Sequence, residues 1–472
     1  MKRLTRFGSL ALLLAVAAPV WAAGTVEEVT FYSDALGMER SALVYLPEGY
    51  DDSGSEYPVI YHIGNWMAGG PGAWLSSQPG YHHEQLDQMI GDGLIDPVIF
   101  VEVDPNAEPW APDFPVRVPA FMTDSELTGN HETAMVEDLV PWVDASYRTL
   151  ADRNHRAVCG TSAGGYSATR LAFRHWDLFG TLLSQVGTIA MEPQMGAVPL
   201  ILSEHPGGPP YEFTPAAGMW SIYGFTWCAA MTPNLSNPPW YVDFWIDENG
   251  EIIHDIMVRY MSQSNSRWGA EMAAAGGSVE IFMSAGYEDF YLPFTTYFAN
   301  DLDSLDIPYT LYMFHGEHYT SLFKPHLTFF MPLNATLELS PRILDGNNWW
   351  PLVDAVIELP GDLEVTDIDT MTLAITQING EDLDKPIRAF VAHSISDVNG
   401  NGRDDLTVWF WKPLLLHRLD DLGIADNEPF AVTVEGETND EWFFAATDSS
   451  NAVNLKTAVQ YSSAMWPSVA VD

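Results

Sequence analysis

Cysteine, basic side chains and long apolar runs are all scarce in this 472-residue sequence. The two cysteines, Cys159 and Cys228, rule out a fold held together by a network of disulfides. Only 20 Lys and Arg residues stand against 64 Asp and Glu residues, so the formal net charge is −44. Phosphate contacts need clustered basic side chains, so the composition predicts no nucleic-acid partner. The same charge opposes adsorption to anionic membranes.

The one prominent apolar run, Leu10–Val20, lies at the amino end behind three basic residues. It is shorter than the roughly 20 residues that a membrane helix needs, and the small residues Ala22 and Ala23 follow it. This pattern is typical of a cleaved export signal. We therefore predict a signal peptide at residues 1–23 and a mature chain that is secreted or periplasmic. The later runs are too short for a membrane helix, so we predict no membrane insertion.

Up to about residue 330, short β-rich runs alternate with helical patterns, which indicates an α/β fold with a mostly parallel sheet. Strands are predicted at Ala42–Leu46, Val59–Ile63, Val98–Val103, Ala157–Cys159, Val279–Met283 and Tyr309–Phe314. Helices are predicted at 131–147, 166–173 and 297–305.

Residues 190–245 are rich in Pro, Gly and Trp and have weak periodicity. The segments "EHPGGPPYEF" and "NLSNPPWYVDFW" cannot be regular helix, because proline removes a donor and clashes with the preceding turn. We interpret this stretch as an elaborated loop region over the sheet. It is either a cap that lines a substrate pocket or a purely structural excursion.

The pattern changes after about residue 335. Alternating segments such as "TMTLAITQI", "DLTVWFW" and "FAVTVEGET" predict strands, with little helical pattern between them. We therefore predict an α/β domain at 24–335 followed by a small all-β accessory domain at 336–472. The pair Trp349-Trp350 is interpreted as core or interdomain packing in preference to a sugar-binding platform.

The stretch "AVCGTSAGGYSATRLAF" places Ser162 between Gly160 and Gly164, after a predicted strand and before a predicted helix. In this context a G-x-S-x-G sequence is typical of a nucleophile on a sharp strand-to-helix turn. The backbone N–H of Ala163, at the helix start, would then face a developing oxyanion. The pattern predicts a nucleophilic serine.

A serine nucleophile needs a base, and that base needs an orienting acid. The segment "IFMSAGYEDFYL" places Asp289 and Glu288 just beyond a strand, and "TLYMFHGEHYTSLF" places His318 just beyond the next. The order serine, acid, histidine is that of α/β-hydrolases. His315 fits the base position less well, since it lies at the strand end. Both carboxylates remain candidates for the acid.

A second oxyanion donor is expected from the loop after an early strand. The segment "YPVIYHIGNWMAGGPG" ends a strand at Ile63, and its glycines allow backbone amides to approach a ligand closely. We predict the main-chain N–H of Trp66 as this donor, with Asn65 as the alternative. A plain turn is the competing interpretation.

Two patterns bear on metals. His315 and His318 lack the i,i+4 spacing of a zinc-binding helix, and no cysteine cluster accompanies them, so no catalytic metal is expected. The segment "SDVNGNGRDDLTV" matches positions 1, 3, 5 and 9 of a calcium loop, but valine replaces the glutamate at position 12. A weak structural calcium ion or a plain turn would both fit Asp397, Asn399, Asn401 and Asp405.

Four separated motifs together resemble the putative-esterase family, which includes esterase D, enterochelin esterases, feruloyl esterases and bacterial mycolyltransferases. They are "VYLPEGYDDSGSEYPVIYHIGN", "VEDLVPWVDASYRTLADRNHRAVCGTSAGGYSATRLAFRHWDLFG", "AGYEDF" and "GEHYTSLF", and they span about residues 30–330. The resemblance implies an α/β-hydrolase fold, with Ser162 as nucleophile, His318 as general base and Asp289 as orienting acid. Glu288 stays the alternative acid. The usual His-Gly or Pro-Gly-Phe oxyanion loop is replaced here by Gly-Asn-Trp.

We therefore expect an exported serine carboxylic-ester hydrolase that acts on a small-molecule ester through an acyl-serine intermediate and needs no catalytic cofactor. Acyl transfer of the mycolyltransferase type is a second hypothesis. A non-catalytic surface or binding protein on a hydrolase scaffold is a third. The oligomeric state is left open by the sequence.

Overall fold

The computed structural model describes residues 24–64, 81–111, 113–114, 116–187, 189–318, 323–390 and 393–455. The first part of the chain contains strands β1 (Thr25–Ser33), β2 (Met38–Leu46), β3 (Val59–Ile63), β4 (Ile99–Val103), β5 (Asn106–Ala107), β6 (Val118–Pro119), β7 (Asp124–Ser125), β8 (Gly129–Asn130), β9 (Arg156–Thr161), β10 (Thr181–Gln185), β11 (Glu280–Gly286) and β12 (Thr310–Phe314). Its helices are α1 (Tyr50–Ser53), α2 (His82–Gly91), α3 (His131–Thr133), α4 (Val140–Ser146), α5 (Ala163–Arg174), α6 (Val198–Ser203), α7 (Met219–Met231), α8 (His254–Met261), α9 (Asn265–Ala274), α10 (Leu292–Ser304) and α11 (Phe323–Phe330).

Within the described ranges, the large strands form one sheet of eight in the order β1-β2-β4-β3-β9-β10-β11-β12. The pairs β1–β2 and β2–β4 are antiparallel, and every pair from β4 to β12 is parallel. This topology confirms the expected α/β-hydrolase fold. Parallel strands all end at the same edge of the sheet, so the loops after β9, β11 and β12 meet there.

The six strands predicted in this part of the chain are present, several of them longer than predicted. Every residue of β3, and likewise of β4, is buried, because helices cover the parallel sheet on both faces. The helix predicted at 131–147 is also present, with a π-helical segment at Ala134–Leu139 in its middle. This wider segment ends just before Pro141, which lacks the N–H for an ordinary helical bond.

Residues 190–245 are not a loop region throughout, because they contain the 13-residue helix α7. The two proline-rich segments are non-helical, as predicted, and α7 lies between them. Ten of its residues are buried, and seven of these, including Trp227 and Cys228, belong to an apolar cluster separate from those around the central sheet. A helix buried on nearly all sides has no polar stripe, so the 3.6-residue period that normally reveals a helix is missing. That is why sequence patterning overlooked it.

The rest of the chain, as far as the structure describes it, is rich in β structure and carries one further α-helix, α12 (Lys412–Asp421), which patterning did not predict. Its strands are β13 (Leu333–Asn334), β14 (Thr336–Ser340), β15 (Ile343–Asp345), β16 (Leu352–Glu358), β17 (Ile368–Ile378), β18 (Glu381–Arg388), β19 (His393–Ser396), β20 (Asp405–Trp411), β21 (Pro429–Thr438) and β22 (Phe443–Val453). They form one sheet in the order β13-β22-β21-β17-β18, with β15 also on β22, and a second in the order β14-β16-β20-β19.

The β-rich region, residues 333–455, packs directly on residues 24–330, which form the α/β-hydrolase region. A single apolar cluster runs from Ile60 and Phe282 of the central sheet to buried residues of both later sheets. The Phe282 and Phe443 rings lie 5.4 Å apart, and the Asn334 N–H donates to the carbonyl of Leu94. The architecture therefore changes near the predicted boundary at 335/336 without a break in the core. Folding of 336–472 as a separate domain stays a prediction.

A cavity of about 330 Å³ opens at this junction. Its lining includes the carboxylates of Glu280, Glu435 and Glu437 together with Arg388. Burial raises the pKa of all three carboxyl groups.

Membrane-spanning helices were also sought in the described ranges, and no helix there combines the length and the apolar character needed to cross a bilayer.

Candidate active site

Ser162 sits on the sharp turn between β9 and α5. Its backbone has φ 57° and ψ −118°, in the positive-φ region that residues other than glycine rarely occupy. The Ser162 N–H donates to the carbonyl of Gln185 on the adjacent strand β10, at 3.0 Å. The neighbouring glycines are needed for close packing, because a Cβ on Gly164 would overlap the Ile63 carbonyl and one on Gly160 would overlap the backbone of Gly164. Such a turn holds a serine Oγ at the end of the sheet.

The loops after β11 and β12 bring Asp289 and His318 to this serine. The Ser162 Oγ lies 2.9 Å from His318 Nε2, and His318 Nδ1 lies 3.1 and 3.0 Å from the two Asp289 oxygens. The exposed fractions are 7% for Ser162, 6% for His318 and 5% for Asp289. The aspartate is itself held, since its Oδ1 accepts the N–H of Tyr291 at 2.7 Å. The geometry has the form nucleophile, base, orienting acid.

Glu288, the alternative acid, faces away from this chain of hydrogen bonds. It is exposed, its Oε1 lies 3.3 Å from His315 Nδ1, and its Oε2 accepts the N–H of Gly316 at 2.7 Å. The hydrogen bond from His315 and that from Gly316 lower the pKa of the Glu288 carboxyl. The structure therefore pairs His318 with Asp289 and leaves Glu288 to order the surface turn that carries His315.

One of the two expected oxyanion donors can be located. Ala163 is the first residue of α5 and is buried beside the serine. The first N–H groups of a helix have no acceptor within the helix and lie at the positive end of its dipole. The predicted second donor, Trp66, and its alternative, Asn65, lie outside the described residues.

Aromatic rings surround the imidazole of His318. The ring centroids of Phe290 and Tyr291 lie 5.1 and 4.9 Å from that of His318. The Phe290 ring is exposed, whereas Tyr223 of α7, a neighbour of Tyr291, is buried. The pKa of the Tyr223 phenol is raised mainly by burial, and the neighbouring Tyr291 raises it further. Helix α7 therefore packs beside the loop that carries Tyr291. The cap interpretation of residues 190–245 stays a prediction.

A buried polar pair that the sequence analysis missed lies in the strands beneath the serine. His62 of β3 and Glu102 of β4 are directly opposite each other and fully buried, with Nδ1 and Oε1 3.4 Å apart. His62 Nε2 lies 3.3 Å from the hydroxyl of Thr161, the residue before Ser162. The available signal was one polar residue inside each of the apolar runs "VIYHI" and "IFVEV". A buried polar side chain needs a hydrogen-bonding partner, and polar residues in two adjacent buried strands can be partners of one another.

The Asp/Asn-rich loop between β19 and β20 forms a tight turn. The Asp397 carboxylate accepts the N–H groups of Gly400, Asn401 and Gly402 at 2.6 to 3.0 Å. The side-chain amides of Asn399 and Asn401 donate to Glu358 Oε2, at 3.0 and 2.8 Å. In the described part of the chain, no group of three or more His, Cys, Asp or Glu residues is arranged to hold a metal ion. The calcium hypothesis for Asp397, Asn399, Asn401 and Asp405 is therefore not confirmed.

The chain is similar to known esterases. The family described as "Esterase: Putative esterase" matches residues 33–274. An endo-1,4-beta-xylanase/feruloyl esterase of Xylanibacter ruminicola is 30% identical over 161 residues, which are 33% of this chain and 21% of that protein. Esterase Rv1288 of Mycobacterium tuberculosis is 29% identical over 168 residues, 36% of this chain and 33% of its own length. The matches thus span about a fifth and a third of these curated relatives.

Solved structures also resemble part of this chain. A ferulic acid esterase aligns with 63% of this chain and 91% of its own, with a TM-score of 0.43 and 19% identity. An S-formylglutathione hydrolase from Agrobacterium tumefaciens aligns with 65% of this chain and 92% of its own, with a TM-score of 0.40 and 16% identity.

Proposed function

This chain belongs to the putative esterase family, and from this premise we propose that it is a carboxylic ester hydrolase that cleaves esters with Ser162, His318 and Asp289 through an acyl-serine intermediate. The observation that carries the proposal is the 2.9 Å between Ser162 Oγ and His318 Nε2, with Asp289 on the other ring nitrogen. Each residue is available for one role in acyl transfer, and the three come from loops at the same edge of the sheet.

In the first half of the reaction, His318 Nε2 takes the hydroxyl proton as Ser162 Oγ attacks the ester carbonyl. Asp289 keeps the proton of His318 on Nδ1 and stabilises the imidazolium that forms. The N–H of Ala163 donates to the oxyanion of the tetrahedral intermediate, and the alcohol leaves with the proton from His318. In the second half, His318 takes a proton from the water that attacks the acyl-serine. The bond between the acyl carbon and Ser162 Oγ then breaks, the acid is released, and His318 returns the proton to Ser162 Oγ.

For the substrate, we propose an ester with an aromatic acyl group. The exposed ring of Phe290 beside His318 offers a stacking surface next to the reacting carbonyl. The Xylanibacter ruminicola relative carries feruloyl esterase in its name, which supports the same class. No basic groove for a phosphorylated or sulfated ligand is indicated by the composition, with only 20 basic residues in the chain.

The test is a panel of p-nitrophenyl and hydroxycinnamate methyl esters, assayed with wild type beside Ser162→Ala, together with a fluorophosphonate probe. We expect the wild type to turn over the esters and to take one label, and Ser162→Ala to do neither, because the attacking oxygen is removed. A labelled Ser162→Ala protein, or one that keeps wild-type turnover, would contradict the proposal. Product analysis with added acceptor alcohols separates hydrolysis from acyl transfer.

Export and cleavage of residues 1–23 remain part of this proposal. The basic start, the short apolar run and the small residues after it support them. Expression of the full chain followed by amino-terminal analysis of the protein outside the cytoplasm should show a start at Ala23 or Gly24. Retention of Met1 on exported protein would contradict cleavage.

Calcium at the loop after β19 also stays a prediction. The spacing of Asp397, Asn399, Asn401 and Asp405 supports it, and a ligand bound to the native state alone raises the melting temperature. We expect added calcium to raise the melting temperature of wild type but not of Asp397→Asn. Equal melting temperatures of wild type in calcium and in EGTA would contradict a bound ion.

A further inference from the structure

Large aromatic side chains lie outside the core on one end of the sheet β14-β16-β20-β19. Val353, Ala355 and Ile357 of β16 are fully buried on its inner side. In β20 the alternation leaves Trp409 and Trp411 on the outer side. The interpretation of Trp349 and Trp350 as core packing is wrong, because they are 84% and 47% exposed. We name the outer aromatic set the tryptophan face: Trp349, Trp350, Phe390, Trp409 and Trp411.

Four rings of the tryptophan face form two close pairs. The Trp349 and Trp350 rings are 5.6 Å apart and almost perpendicular, and the Phe390 and Trp411 rings are 6.3 Å apart. Trp411 is paired across strands with Leu352, two residues after Trp350. Aromatic rings left in water at this density are typical of a binding surface, because the core does not need them.

The loop that carries Trp349 and Trp350 is held in place by hydrogen bonds. The buried ammonium group of Lys412 donates to the carbonyls of Asp345 and Asn348, at 3.0 and 2.8 Å. The Asn348 side chain accepts the N–H of Trp350 at 2.9 Å, and the Asp345 carboxylate accepts from Asn454 at 2.8 Å. A loop backbone that is ordered before binding loses little conformational entropy when a ligand arrives, so this arrangement favours binding.

The negative charge of the chain opposes the binding of anionic partners. The chain carries a net charge of −44, and Asp354 lies opposite Trp409 on the outer side of the sheet. A nucleic acid, an anionic membrane or a second copy of this acidic chain would each add like charge at the contact. An uncharged partner escapes this cost. Pyranose rings in an extended β-linked chain have apolar C–H faces that stack on indole rings, and hydroxyl groups that reach neighbouring carboxylate and amide oxygens.

We propose that the tryptophan face binds an uncharged, β-linked polysaccharide and so holds the enzyme on an insoluble ester-bearing polymer. The role in ester cleavage rests on the proposed function, whereas the binding itself does not. The β-rich region contacts the hydrolase region through α11 and, at the cavity, through Glu280 at the amino end of β11. The triad lies beyond the carboxyl ends of the strands, so binding and catalysis can be measured separately.

The experiment is sedimentation with microcrystalline cellulose and with insoluble xylan. It compares wild type, Ser162→Ala, the double variant Trp349→Ala/Trp350→Ala, and Tyr32→Ala, which removes an exposed aromatic ring from β1 as a matched control. We expect wild type, Ser162→Ala and Tyr32→Ala to bind at least one polymer. The double variant should lose about tenfold or more in association constant, because two rings no longer bury apolar area. Its kcat/KM on a soluble p-nitrophenyl ester and its melting temperature should equal those of wild type.

Four outcomes would overturn the proposal. Wild type remains in solution over both polymers, or the double variant binds as well as wild type. Analytical ultracentrifugation shows a dimer that the double variant loses, which makes a second copy the partner. Phosphatidylserine vesicles capture wild type but not the double variant, which makes a membrane the partner. If Ser162→Ala binds the polymer while no variant hydrolyses an ester, only the proposed function fails.

Discussion

Two adjacent carboxylates, Glu288 and Asp289, meet different surroundings at the tip of β11. Asp289 is buried against the His318 imidazole. A buried negative charge is costly unless it is paired, and here the imidazole ring is its partner. Glu288 is in water and pairs with His315 on the surface. Their types and positions in the sequence are nearly equivalent, so the difference between them comes from burial and direction alone.

At this scale we predict that Asp289→Asn lowers kcat by on the order of 10³–10⁴, because an amide holds the imidazole in the wrong tautomer and no longer stabilises its positive charge. Steady-state kinetics on one ester measures the change. Glu288→Gln is the matched control and should stay within about twofold of wild type. The reverse pattern, with Glu288→Gln inactive and Asp289→Asn active, would reassign the acid.

Among the elements, the turn from β9 to α5 is built by close backbone approach. Gly164 packs on the carbonyls of Ile63 and Gly64, at the end of β3 where the predicted oxyanion loop begins. A side chain here would have to push backbone aside, since no flexible side-chain end is in the way. The distance between helix α5, which carries Ala163, and the end of strand β3 is therefore set by this backbone contact.

We predict that Gly164→Ala lowers the free energy of unfolding by about 1–3 kcal/mol and lowers kcat as well, because the methyl group forces α5 away from β3. Urea denaturation and ester kinetics measure the two effects. Gly196→Ala is the control, since a Cβ there meets nothing within 4 Å, and it should change stability by less than about 0.5 kcal/mol. A Gly164→Ala protein as stable and active as the control would show that the turn tolerates a side chain.

The nucleophile helix is also tied to α3 through buried charge. Glu132 of α3 accepts from Arg170 and Arg174 of α5 and lies 2.8 Å from His175. Burial alone would raise the pKa of this carboxyl, but the hydrogen bond with His175 and the two guanidinium groups lower it to about 2. In the unfolded chain, where these contacts are absent, the Glu132 carboxyl has its ordinary pKa of 4.5. Since the folded value is the lower one, the stabilisation is complete above about pH 5 and is lost as the pH falls through 4.5 towards 2.

We predict that Glu132→Gln costs roughly 3 kcal/mol at pH 7, because Arg170 is left buried without its counter-charge. The free energy of unfolding of the variant should also depend less on pH between 5 and 2 than that of wild type. Chemical denaturation at several pH values measures both. Glu271→Gln, which removes an exposed pair with Arg267, is the control and should cost about 0.5 kcal/mol or less. Parallel pH profiles for wild type and Glu132→Gln would contradict this account.

For the whole molecule, the decisive feature is the apolar cluster shared by the hydrolase and β-rich regions. Phe443 of β22 packs on Phe282 and Phe329, and its N–H donates to the Thr328 hydroxyl at 3.1 Å. Removal of the β-rich region would expose these surfaces to water. The two regions are thus expected to stabilise one another.

We predict that a chain ending at residue 335 aggregates or melts well below the full-length protein, because burial of apolar area is worth about 25 cal/mol per Å². Thermal unfolding and size-exclusion chromatography compare the two chains. A shortened chain with the full-length melting temperature and activity would show that 336–472 is an independent accessory domain.

The sequence by itself determined the elements whose physics is local. Apolar runs without polar alternation located β3 and β4, and G-x-S-x-G between a strand and a helix located the turn of Ser162, because these signals need only neighbours in the chain. The spacing of Asp289 and His318 behind later strands was enough to nominate them, since parallel strands end at one edge.

The tertiary structure alone decided what depends on burial and on contacts between distant residues. It paired His318 with Asp289 in preference to Glu288, joined His62 to Glu102, buried α7 on nearly all sides so that its period vanished, and left Trp349 and Trp350 in water. Each of these outcomes depends on which surface covers a residue. That covering surface comes from parts of the chain far away in sequence, and no local pattern records it.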